Sequence, residues 1–376
     1  MAEVIEVNDI SELAAYRAEW HSLLPHTLGV SFFHTLEWLE AYWQHLSSDQ
    51  KLRVLVVQTA GKTIGIVPLV VRRERYRAAS VRVLTYPLDN CGTWYGPIGP
   101  NPGTIMLAAM QHIRHSRRDW DMIDLRWVPE ADKTVRAMRV AGMFTAKSEY
   151  QPTSILDLPA TWDEFLAGKS RNQRTQAKRR LRQVFEEDRA EFVRHRPSSE
   201  SCGSGDPGWD VYEMCEQVAQ ASWQGAVTNG NTLTHGRVRD FYRDAHAAAA
   251  RLGMVDVNVL KVQGRPVAFL YNYVVGGRVT LLRMGFDASL SDHGFGSALL
   301  FRSIQDGIER GDQLIDFGPG DREHKRRLRN RIEMTHRLTY APLHSWRSQA
   351  VQLTRWAKQR WPKKQSESAV EPALSA

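Results

Sequence analysis

The feature that most constrains the fold is a repeat relating the two halves of this sequence. Residues 55–66 and 258–269 both contain an apolar run, a polar turn and a second apolar run, with Gly61 and Gly264 at the same turn position. Residues 121–125 and 313–317 are also similar to each other. In each half, a strand, a glycine loop and a helix are predicted between the first and the second of these segments. A repeat over about half of the chain predicts two tandem copies of one α/β domain.

The repeat divides the 376 residues into two domains and a tail. We expect an N-terminal domain over residues 1–153, a C-terminal domain over residues 154–345, and a basic amphipathic tail over residues 346–376 whose end is disordered. A hydrophobic content of 42% is enough for a substantial core in each domain.

The clearest functional signal lies in residues 279–325. A predicted strand is followed there by a loop with Gly294 and Gly296, a helix, and a second strand. The unpaired amides and the dipole of a helix N-terminus favour an anion at such a loop, although a tight turn can also need glycine for structural reasons alone. The equivalent loop of the first copy, residues 96–103, holds three prolines, which lack amide donors. We therefore expect a degenerate first domain on the acceptor side and a working site in the second.

The formal net charge of +8 favours anionic partners, namely nucleic acid, acidic lipid or a phosphate-bearing cosubstrate. Three cysteines without a CxxC spacing argue for a reducing compartment and against a metal site. The sequence shows neither a secretory signal nor an uninterrupted apolar span, so we expect a cytoplasmic protein.

Two basic segments have helical patterns with two interpretations each. Arg171, Arg174 and Lys178 recur at three- and four-residue spacing on a predicted helix over residues 170–190. These cations form either a solvated helix face or a positively charged surface that faces an anionic ligand. In the tail, Trp346 and Leu353 lie among lysines and arginines. Such a helix either contacts an anionic membrane peripherally or docks on its own protein.

Several short segments of the second half carry a family resemblance in their order and spacing. They are residues 221–224, 264–268, 283–287, 294–299, 316–321 and the pair His324-Lys325. The sequence resembles the GNAT-type acyltransferases related to the CelD proteins of cellulose biosynthesis, which are similar to the tandem-GNAT FemAB aminoacyl transferases. The resemblance extends to about Leu343. It implies an α/β fold of two tandem GNAT-like domains in a FemAB-like architecture, with a mixed central sheet flanked by helices.

This resemblance implies direct transfer of an acetyl or longer acyl group from acyl-CoA, without a metal, to an amine or a hydroxyl. The acceptor is expected to be a small molecule, a lipid or a glycan. One alternative is a FemAB-type transferase that uses aminoacyl-tRNA, with the basic stripe as the RNA contact. Another is a non-catalytic GNAT-fold binding protein in envelope polysaccharide synthesis.

The resemblance also implies the residues of the site. The pyrophosphate of coenzyme A is expected on the glycine turn, and the pantetheine arm beside the two strands. The cofactor-binding candidates are Ser291, Gly294, Phe295, Gly296, Ser297, Met284 and Phe317. The substrate-binding candidates are Trp223, Gln224, Arg171, Arg174 and Lys178.

Four residues are candidates for catalysis. Asp321 follows a Gly-Pro-Gly turn and is expected either to act as a base or orient the acceptor, or to cap the turn. Lys325 is expected to pair with Asp321 or to contact phosphate. His324 is a candidate base or a surface residue, and Arg283 either stabilises an oxyanion or forms a structural ion pair.

Overall fold

The computed structural model describes residues 2–76, 80–87, 92, 95–225 and 232–360, with the backbone alone for residues 324 and 355–360. The strands are β1 (Glu3–Val7), β2 (Gln50–Thr59), β3 (Lys62–Arg75), β4 (Ser80–Thr85), β5 (Met122–Val128), β6 (Ala146–Asp157), β7 (Glu191–His195), β8 (Val255–Val262), β9 (Arg265–Val275), β10 (Arg278–Phe286), β11 (Leu314–Pro319) and β12 (Arg331–Tyr340). The α-helices are α1 (Arg17–Leu23), α2 (Leu36–Leu46), α3 (Pro102–His115), α4 (Ala131–Val140), α5 (Trp162–Ala167), α6 (Arg171–Leu181), α7 (Trp209–Ala221), α8 (Arg239–Arg251), α9 (Phe295–Glu309), α10 (Glu323–Leu328) and α11 (Trp346–Arg360).

The described strands form one mixed sheet in the order β1-β2-β3-β4-β5-β12-β6-β11-β10-β9-β8-β7. When every strand is replaced by its counterpart six positions along the chain, the same order is obtained in reverse, so the two halves are related by a pseudo-twofold axis between β12 and β6. Each half receives its innermost strand from the other part of the chain: β12 pairs with β5, and β6 pairs with β11. The predicted tandem α/β architecture is confirmed, with an exchange of strands that the repeat did not reveal.

The sequence repeat corresponds to two equivalent hairpins, β2–β3 and β8–β9. Both two-residue turns have positive φ angles, 50° and 74° at Ala60 and Gly61, and 51° and 79° at Gln263 and Gly264. Such turns match the right-handed twist of paired strands. A register shift precedes each turn at equivalent positions, after Val57 in β2 and after Leu260 in β8. The repeat is therefore one of backbone geometry as well as of sequence.

Two helical segments are not regular α-helices along their whole length. Residues 10–24 begin as a 3-10 helix, Ile10–Tyr16, before α1, and Asp9 accepts a hydrogen bond from the amide of Ser11 at its start. The helix predicted over residues 170–190 consists of α6 and a π-helical turn, Arg182–Glu187, which ends before β7. The predicted domain boundary between residues 153 and 154 falls inside β6. Residues 361–376, which include the end predicted to be disordered, lie outside the described residues.

A buried aspartate holds the exchanged strand β12 beside β5. Asp124 is fully buried on β5, where its carboxylate accepts hydrogen bonds from Arg126 at 2.8 Å and from Nε of Arg337 on β12 at 2.7 Å. Burial opposes ionisation, but the two guanidinium groups outweigh it and hold the pKa of Asp124 below its ordinary value. Asp316, its counterpart on β11, is also fully buried and is paired with Arg278 at 2.7 Å.

Among the described residues, none of the helices combines the length and apolar character needed to cross a lipid bilayer.

Candidate functional site

The sheet opens between the parallel strands β10 and β11. Within the described chain, β10 pairs with β9 as far as Phe286, but its pairing with β11 ends at Thr280 and Asp316. A register shift between Leu281 and Arg283 marks a bulge at this point of β10. The opening therefore lies at the carboxyl ends of two parallel strands, where open α/β sheets bind their ligands. The resemblance to GNAT-type acyltransferases implies a thioester at the same place, between Arg283 and Phe317.

The loop that follows β10 leads directly into the N-terminus of α9. Asp287 accepts hydrogen bonds from the amide and the hydroxyl of Ser289 and so begins a 3-10 turn, Ala288–His293. Gly294 then has a left-handed φ of 69°, and α9 starts at the next residue without a capping hydrogen bond from the Gly294 position. The amides of its first turn, from Phe295 to Ser297, are the donors that favour an anion.

A buried arginine lies against this turn. A Cβ atom placed on Gly294 would lie 2.6 Å from Cζ of Arg180, whose Nη1 donates to the carbonyl oxygen of His293 at 3.2 Å. Arg180, on α6, is only 9% exposed, and its guanidinium brings positive charge to the glycine turn. Arg180 is not among the residues predicted from the sequence, because it stands next to the exposed cations Lys178 and Arg179. The signal was present, because Ala177 and Val184 share its helix face at three- and four-residue spacing and are buried.

Lys325, on α10, has its amine at the opening itself. Nζ donates to the carbonyl oxygens of Gly318 at 3.2 Å and Pro319 at 2.6 Å. A Cβ atom placed on Gly318 would lie 3.4 Å from the carbonyl oxygen of Leu281 on β10 and 4.0 Å from Nζ. Burial lowers the pKa of Lys325 to about 8, helped by the charge of Arg322 and opposed by that of Asp316. An appreciable fraction of this amine is therefore neutral near physiological pH.

The expected ion pair between Asp321 and Lys325 is not formed. Oδ1 of Asp321 is bound by Arg329, and Oδ2 lies 3.3 Å from Nε of Arg326. Arg326 also donates to the main-chain oxygen of Asp321 at 2.9 Å. The two arginines bind the carboxylate of Asp321, whereas the amine of Lys325 is bonded to the end of β11.

Arg283 contacts the helix layer on the other side of β10 from Met284. Its Nη2 donates to the hydroxyl of Tyr242 on α8 at 2.5 Å, and its guanidinium lies 5.4 Å from the centre of the same ring. Nη1 donates to the carbonyl oxygen of Leu282 at 2.7 Å. Met284 instead packs in the hydrophobic cluster that includes Phe317 and α9. The structure therefore does not bring Arg283 to the glycine turn.

The remaining cofactor-binding candidates lie around the turn. Ser291 and Ser297 are exposed, and Gly296 approaches the end of β10, since a Cβ atom there would lie 3.3 Å from the ring of Phe286. Phe295 is buried, with its ring centre 5.1 Å from that of His293. The backbone of His324 lies in α10, but its side chain is outside the described part of the structure.

The substrate-binding candidates do not all have free side chains. Arg171 and Lys178 are exposed on α6, whereas Arg174 donates to the carbonyl oxygen of Lys169 at 2.8 Å and so joins α5 to α6. Trp223 follows α7 and is 43% exposed, and Gln224 beside it is half-buried. Residues 226–231, which come next, lie outside the described residues.

The lowered pKa of Lys325 can be tested through stability. The unfolded chain holds the proton up to the ordinary lysine pKa of 10.5, whereas the folded chain releases it near pH 8, so the wild-type protein should gain stability as pH rises from about 8 to 10.5. Lys325→Met should lack this gain. The measurement is the free energy of unfolding in urea across this pH range, and parallel curves for the two proteins would contradict the shift.

Residues 171–326 match the family model described as "Acetyltransferase (GNAT) domain". FemX has a similar structure, with a TM-score of 0.58 and 10% sequence identity over 93% of this chain and 99% of that chain. The C-terminal domain of a putative lysylphosphatidylglycerol synthetase from Agrobacterium fabrum gives a TM-score of 0.55 and 11% identity over 93% and 97%. L-PGS from Bacillus licheniformis gives 0.51 and 14% over 86% and 97%.

No curated protein matches the sequence. Identities at this level show a shared fold, and they leave the donor and the acceptor to be argued from the site. The tandem sheet and the matched domain agree with each other: residues 171–326 contain the glycine turn, the opening between β10 and β11, and Lys325. Residues 171–326 therefore match a GNAT-type acetyltransferase domain, and the chain has the FemAB-like fold of two tandem GNAT-like domains.

Proposed function

We propose that this protein is an acyltransferase that moves an acetyl or longer acyl group from acyl-CoA directly to an amine, or to a hydroxyl, of its acceptor. The observation that carries the proposal is the amine of Lys325, with a pKa of about 8, at the opening between β10 and β11. Perturbed lysines at the carboxyl end of a sheet are typical of functional sites. Lys325 lies within the residues that match the GNAT acetyltransferase domain, and acyl transfer to an amine needs a group that accepts a proton.

The glycine turn and the opening together provide a place for the donor. The diphosphate of coenzyme A would be bound by the amides from Phe295 to Ser297 and by the guanidinium of Arg180. The pantetheine arm would lie along the edge of β10 beyond Thr280, which β11 leaves unpaired. Met284 and Phe317, which belong to one hydrophobic cluster, would line this path.

Lys325 would act as the base. The neutral amine of Lys325 takes a proton from the acceptor nitrogen while that nitrogen forms a bond to the thioester carbonyl carbon. The carbon–sulfur bond then breaks, and the leaving thiolate takes the proton back from Lys325, which restores the base and releases coenzyme A as the thiol. Asp321, held by Arg326 and Arg329, would position the turn that carries Lys325.

One observation favours a second candidate function, transfer from aminoacyl-tRNA. The guanidinium of Arg180 is packed so closely on Gly294 that it could fill the turn instead of binding a diphosphate. Arg171 and Lys178 are exposed on the same helix and could contact an RNA backbone. In this case the donor would approach along α6 and the glycine turn would be structural.

Arg180→Ala separates the two functions. If Arg180 binds the diphosphate, the variant should lose about tenfold or more in affinity for coenzyme A, because a hydrogen bond to a charged group contributes about 1.5–3 kcal/mol. Isothermal titration with coenzyme A and acetyl-CoA measures this loss. Arg179→Ala, which removes the neighbouring exposed cation of the same helix, is the matched control and should bind as the wild type does.

The opposite result has an equally clear meaning. Tighter binding of coenzyme A by Arg180→Ala would show that Arg180 fills the turn. A rise in Tm with tRNA and none with acyl-CoA would replace the proposed donor by aminoacyl-tRNA. A protein that binds neither donor would be left with the non-catalytic function.

A further inference from the structure

The most exposed apolar side chains of the described chain lie in two segments. Val140 and Phe144, just before β6, are 63% and 83% exposed, while Leu343, Trp346 and Leu353, after β12, are 90%, 70% and 66% exposed. Every other large apolar side chain among the described residues is less than half exposed. We call these five residues the apolar end. Isolated exposed apolar residues are ordinary, but a group of this size marks an interaction surface.

Strand pairing brings the two segments together. Ala146, the first residue of β6, is the partner of Thr339 near the end of β12. Phe144, just before β6, and Leu343, just after β12, are therefore next to neighbouring strand ends. The loop before β5 lies at the same end, because Trp120 packs against Tyr340 with ring centres 6.3 Å apart. The apolar end is therefore one region of the sheet rim, although its residues are far apart in sequence.

Among its described side chains, helix α11 fully buries those of Ser348 and Val351. Val351 is fully buried against Val81, Val83 and Met122 of β4 and β5. Trp346 and Leu353, five residues before and two after it, are turned to solvent. The helix is thus docked in a way that keeps part of its apolar surface outside.

The exposed charges around the apolar end are mainly basic. Arg117 and Arg118 are exposed in the loop before β5, Arg139 at the end of α4, and Arg347 on α11. From Trp346 to Lys364 the sequence has six lysines and arginines and no acidic residue. Apolar and aromatic side chains surrounded by cations are the combination that binds an anionic lipid surface.

The apolar end lies beyond the same ends of the strands as the candidate site. Pro319, at the carboxyl end of β11, is the partner of Thr153 on β6, and Ala146 lies seven residues further in the direction in which β11 points. At about 3.3 Å per residue this is a separation of roughly 23 Å. A surface that touches the apolar end would lie within reach of the site without covering it.

We infer that the apolar end is a docking site for an anionic phospholipid surface, on which the protein binds peripherally. The side chains of Leu343, Trp346 and Leu353 enter the interfacial layer, and the surrounding arginines contact the lipid phosphates. This inference is independent of the donor used in the proposed function, because none of its residues belongs to the glycine turn or the opening.

The test is co-sedimentation of the full chain with large vesicles of phosphatidylcholine alone or mixed with an equal amount of phosphatidylglycerol. We expect binding to the anionic vesicles, and a loss of about tenfold or more in Leu343→Ser with Leu353→Ser, because two apolar side chains leave the interface. The matched control is Leu28→Ser with Ile332→Ser, which removes two half-exposed apolar side chains elsewhere and should bind as the wild type does. Thermal unfolding verifies that both variants are folded.

Three outcomes would overturn the inference. The first is equal binding of both variants to the anionic vesicles. The second is absence of wild-type binding to either vesicle. The third is a wild-type dimer, detected by light scattering, that Leu343→Ser with Leu353→Ser dissociates while vesicle binding is unaffected, since a second copy of the chain would then be the occupant.

Discussion

Lys325→Met should lower kcat by about a thousandfold while the affinity for acyl-CoA changes by no more than about twofold. The reason is that the variant removes the amine at the opening between β10 and β11 but leaves the glycine turn and Arg180 in place. The measurement combines steady-state kinetics with an acceptor found by screening and direct titration of the donor. A parallel fall in donor affinity would mean that Lys325 binds the donor instead of acting on the proton.

The pH dependence distinguishes a base from a fixed charge. Because Lys325 must be neutral to accept a proton and its pKa is about 8, log kcat of the wild type should rise with pH and level off above about pH 8. Lys325→Arg keeps the cation but cannot release its proton, so it should be as inactive as Lys325→Met. Lys133→Met, on α4, is the control for loss of an exposed lysine. Full activity of Lys325→Arg would exclude Lys325 as the general base.

Asp124→Ala should lower the free energy of unfolding by about 3–5 kcal/mol, because it leaves two guanidinium groups, those of Arg126 and Arg337, without their buried partner. Urea unfolding followed by circular dichroism measures this change. Asp132→Ala is the matched control, because that carboxylate is 88% exposed and paired with Lys147 at the surface, and its loss should cost no more than about 1 kcal/mol.

The same variant tests whether the exchanged strand is held by charge. A loss in Asp124→Ala as small as in the control would mean that backbone pairing alone fixes β12 beside β5. Since the pKa of Asp124 is lowered in the folded protein, its stabilising contribution is present at neutral pH and disappears as acid protonates the carboxylate. The difference in the free energy of unfolding between the wild type and Asp124→Ala should therefore become smaller as the pH is lowered.

Local patterns were sufficient to predict the hairpins, the βαβ unit and the glycine turn. The turns at Gly61 and Gly264 need positive φ angles, and the residues that tolerate such angles are visible in any sequence. The helix after Gly294 begins at Phe295, a boundary that apolar periodicity alone does not define.

The properties that make the site depend on contacts that are distant in the sequence. Arg180 resembles its exposed neighbours, and only its packing on Gly294 distinguishes it. The pKa of Lys325 follows from its burial at the end of β11, which the pattern around α10 does not contain. Asp321 was a candidate base, acceptor-orienting residue or turn cap because it follows a Gly-Pro-Gly turn, and the sequence did not show that Arg329 and Arg326 hold its carboxylate. Nothing in the repeat indicated that β6 and β12 would change places.

The exchange of β6 and β12 between the two halves limits how the gene can be divided. A cut between residues 153 and 154 would divide β6, a cut before β6 would separate β12 from β5, and a cut after β6 would separate β6 from both β11 and β12. Neither half is a contiguous module that recombination could move to another gene with its sheet complete. The first half is therefore structurally necessary for the second.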